Sequence, residues 1–146
     1  MKKVLLGTAA VAVMAMGLTS CSKYEDGPSV TLLTKKSRMA NNWTLSSMTE
    51  NGTAVDLSNT TMEVDMTKEG TYTQRYTISY DVLGQTVTVG DTTTGAWAFS
   101  DDKTQLLMTE EGETEADTMV ITMLKKDQLD LRSTDGEDEM TLITRE

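Results

Sequence analysis

The stretch TMEVDMTKEGTYTQRYTISY, residues 61–80, decides the fold. Met62, Val64 and Met66 alternate with Glu63 and Asp65, so one face is apolar and the other charged. Lys68-Glu69-Gly70 interrupts the pattern with turn residues. Tyr72, Gln74, Tyr76, Ile78 and Tyr80 then share one face, with Thr73, Arg75, Thr77 and Ser79 on the other. A period of two on both sides of a glycine turn is the signature of a β-hairpin with one dry and one wet face.

The same period extends in both directions. Upstream, Trp43 and Leu45 alternate with Thr44 and Ser46, and the turn pair Asn51-Gly52 precedes Val55 and Leu57. Downstream, Val87 and Val89 read as a short strand between Gly84 and Gly90, and Trp97 with Phe99 as the next. Ser100 to Thr104 turns the chain into Leu106 and Met108. Met119, Ile121 and Met123 share a face, Leu129 and Leu131 return the chain, and Met140 with Leu142 ends it after Asp135-Gly136. The sole proline, Pro28, lies outside all of these segments, as internal strands require.

The reading is an all-β domain of roughly eight to ten short strands joined by local turns. Consecutive hairpins favour a small antiparallel up-and-down β-barrel, because closing the sheet removes its exposed edges. A two-sheet β-sandwich is the alternative. Leu32, Leu33, Met39 and Ala40, with Lys35, Lys36 and Arg38 among them, suggest a short helix within Thr31 to Asn42 that closes one end.

Residues 1–20 have a different character. Met1, Lys2 and Lys3 are followed by an apolar or small-residue run from Val4 to Leu18, and then by Thr19, Ser20 and Cys21. This is a secretory signal peptide, too short for a stable membrane span. Leu18-Thr19-Ser20-Cys21 matches the lipobox of bacterial lipoprotein precursors, which makes Cys21 the lipid-modified first residue of the mature chain. A diacylglyceryl thioether, commonly joined by an amide-linked palmitate, is a lasting anchor at roughly 0.8 kcal/mol per buried CH₂. Residues 21–30 then form the lipidated tether and 31–146 the barrel domain.

The chain of 146 residues carries a formal charge of −10. That sign disfavours nucleic acid as a partner. The chain has no His, and acylation consumes its one Cys, so the usual neutral-pH base, the thiolate nucleophile and the common soft-metal sites are missing. The expectation is a non-enzymatic protein without cofactor or metal. Glu110, Glu111, Glu113, Glu115 and Asp117, with Asp135, Glu137, Asp138 and Glu139, lack the EF-hand order and read as solvated turns.

Two side-chain sets point to an interior site. Met62, Met66, Met108, Met119, Met123 and Met140 fall at inward strand positions, where flexible thioethers fill an irregular core or a forgiving pocket. Trp43, Tyr72, Tyr76, Tyr80 and Trp97 are the candidate ligand-lining aromatics, since tyrosine hydroxyls fit a semi-polar cavity better than a dry core.

The chain resembles the lipocalin-like lipoproteins of Bacteroidetes. The likeness runs from Cys21-Ser22-Lys23-Tyr24-Glu25-Asp26-Gly27-Pro28 through Lys35-Lys36-Ser37-Arg38 and Trp43 to Gly95-Ala96-Trp97-Ala98-Phe99-Ser100-Asp101-Asp102. It implies a barrel whose base is closed by Trp43, and an outer-membrane lipoprotein facing the periplasm or the cell surface. Lipocalins proper carry Gly two residues before this Trp, and here that position is Asn41.

Two functions are consistent with this reading. A barrel that binds a small apolar or amphipathic ligand predicts a concave apolar pocket of at least about 300 Å³. A filled barrel serving as an interaction module of an envelope complex predicts an exposed apolar patch or free strand edge instead.

Overall fold

The structure is a computed structural model that describes residues 33–145. The signal peptide, Cys21 and the tether lie outside the described residues.

A five-residue helix, α1 (Lys35–Met39), precedes nine strands: β1 (Asn42–Glu50), β2 (Thr53–Ala54), β3 (Thr60–Met66), β4 (Thr71–Val82), β5 (Gln85–Phe99), β6 (Gln105–Glu110), β7 (Asp117–Leu124), β8 (Gln128–Ser133) and β9 (Glu139–Thr144). All neighbouring pairs are antiparallel, and β9 pairs back onto β1, with Trp43 opposite Thr144 and Leu45 opposite Leu142. β2 is a two-residue flap on β1, so the closed wall has eight strands. The up-and-down barrel holds and the sandwich does not.

The opening hairpin forms as its alternation dictates. Met62, Val64 and Met66 face Tyr76, Gln74 and Tyr72 across the β3–β4 pair. Their polar neighbours line the outer wall, where Asp65 meets Arg75 at 2.5 Å and Arg145 at 3.2 Å. Such solvent-facing pairs add little stability.

Two sequence expectations are corrected. Val87–Val89 and Trp97–Phe99 belong to one continuous 15-residue strand, because Gly90 and Gly95 are paired within it rather than ending it. A register shift between Ile121 and Met123 turns Met123 outward with Asp130 and puts Leu124 inside, fully buried. The short helix expected within Thr31 to Asn42 forms as Lys35–Met39, capped by the Thr34 hydroxyl, which accepts the Ser37 N–H at 3.1 Å.

The core concentrates at the end where the helix sits. Met39, Trp43, Leu106, Leu124 and Leu129 are its most deeply buried side chains. The Trp43 indole N–H donates to the Met39 carbonyl at 2.9 Å, which ties the helix to the barrel floor. Arg38, also buried, donates from Nη1 to the Leu124 carbonyl. We call this end the base, and the opposite end, with the β1–β3, β4–β5, β6–β7 and β8–β9 connections, the mouth.

At the mouth the β4–β5 hairpin outgrows the barrel. β3 pairs with β4 only as far as Ile78, and β6 pairs with β5 only from Gly95 onward. Residues 85–93 therefore have no strand partner on the β6 side among the described residues, while the Thr94 carbonyl still accepts the Glu111 N–H at 2.8 Å. Leu83 and Gly84 form the tip, both at positive φ (52° and 82°), with Leu83 fully exposed.

Candidate functional site

The barrel encloses a cavity of about 250 Å³ above its floor. This is smaller than the roughly 300 Å³ expected from the sequence. Trp43, Val64, Leu129, Leu131 and Leu142 supply apolar wall near the base. Met62, Met66, Met108, Met119 and Met140 make up most of the remaining apolar surface. Thioether side chains adapt to ligands of different outline more readily than branched ones.

The polar lining is a small group: Gln74, Thr93, Glu110 and Asp117, with the Tyr72 hydroxyl. Glu110 and Asp117 are the lining residues most open to solvent, so they mark the mouth of the cavity. Their positions follow from the strand period. Glu110 lies two residues beyond Met108 on β6, and Asp117 two before Met119 on β7, all on the inner face. The same extrapolation from Tyr72 gives Gln74. Reading the acidic connection as solvated turn missed that its two ends point inward, although the alternation already carried that signal.

Of the aromatic residues singled out from the sequence, Trp43 and Tyr72 line the cavity. Trp97 is buried beside it; its indole N–H donates to the Thr67 carbonyl at 3.0 Å and its ring meets Phe99 edge-on at 5.5 Å. Tyr76, still paired with Met62 of β3 near the rim, and Tyr80, beyond the last β3 partner, share the inner face of β4, 39% and 47% exposed, and do not border the cavity. The structure thus brings Trp43 and Tyr72 together around the cavity and separates the other two tyrosines from it.

Tyr72 is the best-defined polar element of the site. It is 5% exposed, and its ring lies across Gly95, its cross-strand partner, toward the Gly95–Glu110 pair. Burial pushes its hydroxyl above the usual tyrosine range, and the charges of Glu110 and Asp117 push it the same way. The phenol therefore stays protonated through the physiological range.

No cluster of three or more metal-ligating side chains occurs among the described residues. No helix among them is long and apolar enough to cross a membrane. What the geometry offers is enclosure: a largely apolar chamber with a polar rim at Glu110 and Asp117.

Neither a family model nor a curated protein matches the chain. Among solved structures, a lipocalin-like protein from Bacteroides uniformis superimposes with a TM-score of 0.51 at 10% identity, covering 74% of this chain and 99% of that one. The fold is lipocalin-like. An uncharacterized protein from Bacteroides eggerthii gives a TM-score of 0.50 at 9% identity, over 73% of this chain and 98% of that one. At such identities the likeness concerns the lipocalin-like barrel alone, which in principle encloses a small ligand.

Proposed function

We propose that this chain is a lipid-anchored, non-enzymatic lipocalin-like protein of the outer membrane that takes a small apolar or amphipathic molecule into its barrel. The observation that carries the ligand reading is the methionine-walled cavity of about 250 Å³ with Glu110 and Asp117 at its exposed rim. Its size suits a short chain or one ring system rather than a drug-sized ligand, for which pockets start near about 300 Å³. Trp43 and Tyr72 are the wall aromatics of this reading. Trp97, Tyr76 and Tyr80 act around it, Trp97 by packing and the two tyrosines above the mouth.

The anchoring reading rests on Leu18-Thr19-Ser20-Cys21, with residues 1–20 as the signal peptide and 21–30 as the tether. Labelled palmitate should enter the wild-type protein and not Cys21→Ser. Incorporation into both would remove the anchor from the proposal.

Native mass spectrometry of the purified protein tests the binding reading. A retained small molecule that is lost in Met108→Trp, which fills the cavity, supports it. Failure of the wild-type protein to retain or take up any short amphiphile overturns it.

A second reading has its own observation. The edge of residues 85–93, unpaired among the described residues and beside the exposed Val82, Leu83, Val87 and Val89, suits strand addition by an envelope protein partner. Val89→Lys should weaken such a contact without altering ligand uptake, which separates the two roles.

A further inference from the structure

The charges of the barrel are sorted by end. Residues 47–59, 79–92, 110–117 and 133–138, which make up the mouth end, contain twelve acidic residues and no Lys or Arg. Except for Arg75 and Arg132 on strands, every basic residue among those described sits at the base, in α1, in the turns at Lys68, Lys103 and Lys125-Lys126, or at Arg145. A low-dielectric cavity opening through such an end focuses a negative potential at its entrance. The lining follows the same rule, with Glu110 and Asp117 present and no cationic side chain.

We infer that the ligand is an amphipathic cation, with its apolar body among the methionines and a protonated amine at the mouth between Glu110 and Asp117. This rests on reading the barrel as a small-molecule binder and names the class of molecule bound.

A second observation, independent of the charges, points to the same headgroup. Tyr72 is 5% exposed and borders the cavity, yet its hydroxyl makes no hydrogen bond to any described residue. The side chain is buried while its hydroxyl oxygen keeps contact with open space, so that oxygen is free to pair with a ligand group or water. The phenol oxygen accepts a hydrogen bond from an ammonium N–H, and Glu110 and Asp117 accept charge-assisted ones. An anionic headgroup would meet two carboxylates and no countercharge. A neutral one would form weaker hydrogen bonds.

Calorimetric titration of the full chain with octylammonium, 1-octanol and octanoate at low salt tests the inference. The three probes share one tail and differ only in headgroup. Octylammonium should bind at least about tenfold more tightly than 1-octanol, the scale of a hydrogen bond to a charged group. Octanoate should bind most weakly. In Glu110→Gln/Asp117→Asn, with its fold checked by circular dichroism, the ratio of octylammonium to octanol affinity should fall to about one. Comparison within the full chain makes any uptake by residues outside the barrel common to both proteins. Equal binding of amine and alcohol, or tightest binding of octanoate, overturns the cationic headgroup and leaves the binder reading standing. Binding of none of the three overturns the binder reading itself.

Discussion

The ring of Tyr72 lies so close over Gly95, its cross-strand partner, that a methyl group on Gly95 would come within 2.8 Å of the ring carbon Cε1. The same methyl would collide with the Thr109 carbonyl on β6. Gly95 is thus a glycine of close approach, and it lets a bulky phenol lie flat across the sheet beneath the mouth.

Gly95→Ala should therefore destabilise the barrel by about 3 kcal/mol, the upper part of the range for overpacking, because backbone as well as side chain must move. Urea unfolding measures this. A change within the ordinary surface range of about 0.5 kcal/mol would contradict the packing described.

Trp43 is fully buried, and its indole N–H satisfies the Met39 carbonyl. Trp43→Ala should cost about 3–5 kcal/mol from the cavity it leaves. Trp43→Phe should fall between this variant and wild type, since it keeps most of the ring but orphans the carbonyl. Equal stability of Phe and Trp would show that the hydrogen bond to α1 contributes nothing.

Leu83 occupies a left-handed conformation at φ 52° with its side chain wholly in solvent. Asn and Gly suit this turn position, and a branched apolar residue there costs about 1–2 kcal/mol. Leu83→Asn should stabilise the protein by about 1 kcal/mol in thermal or urea unfolding. Loss of stability would mean that Leu83 makes contacts the folded monomer does not reveal.

The raised Tyr72 titration has a defined sign. The neutral phenol is favoured in the folded state, so its contribution is complete below the ordinary value of 10.0 and is lost as pH rises through the folded-state value. Wild type should lose stability above that point more steeply than Tyr72→Phe. Glu110→Gln/Asp117→Asn should bring the Tyr72 tyrosinate transition to lower pH without restoring it fully, because burial is the larger cause. Superimposable wild-type and Tyr72→Phe profiles would refute the assignment.

Much of this fold is legible in the sequence. Met62-Glu63-Val64-Asp65-Met66 alternates in the sequence and does so in the barrel. Asn51-Gly52 turns with both residues at positive φ, as such a pair demands. The departures have local causes. Gly90 reads as a break because glycine marks turns, yet here it lies within β5 against a close neighbour. Met123 was misplaced because one extra residue in β7 reverses the alternation, and no residue type announces a bulge. Tyr76 and Tyr80 have the right face but the wrong height, since alternation gives the side of a strand and not where its neighbours stop. Glu110 and Asp117 were obscured by their company, as Glu111, Glu113 and Glu115 between them do form a solvent-facing loop.

Every pairing of the closed wall but one joins strands that follow each other along the chain, the β2 flap aside. The exception is the β1–β9 seam, where Trp43 meets Thr144 and the Arg145 N–H donates to the Asn42 carbonyl at 3.0 Å. Seven hairpin contacts can thus assemble as the polypeptide emerges, whereas the last waits for a residue about a hundred positions later. Closing so long a loop has an entropic cost that grows only logarithmically with length, but it must be met before the contact yields anything. Until then the first and last strands present raw edges to any other chain nearby. Chain synthesis thus sets a window in which aggregation competes with closure, and chaperone dependence should concentrate there rather than on the finished protein.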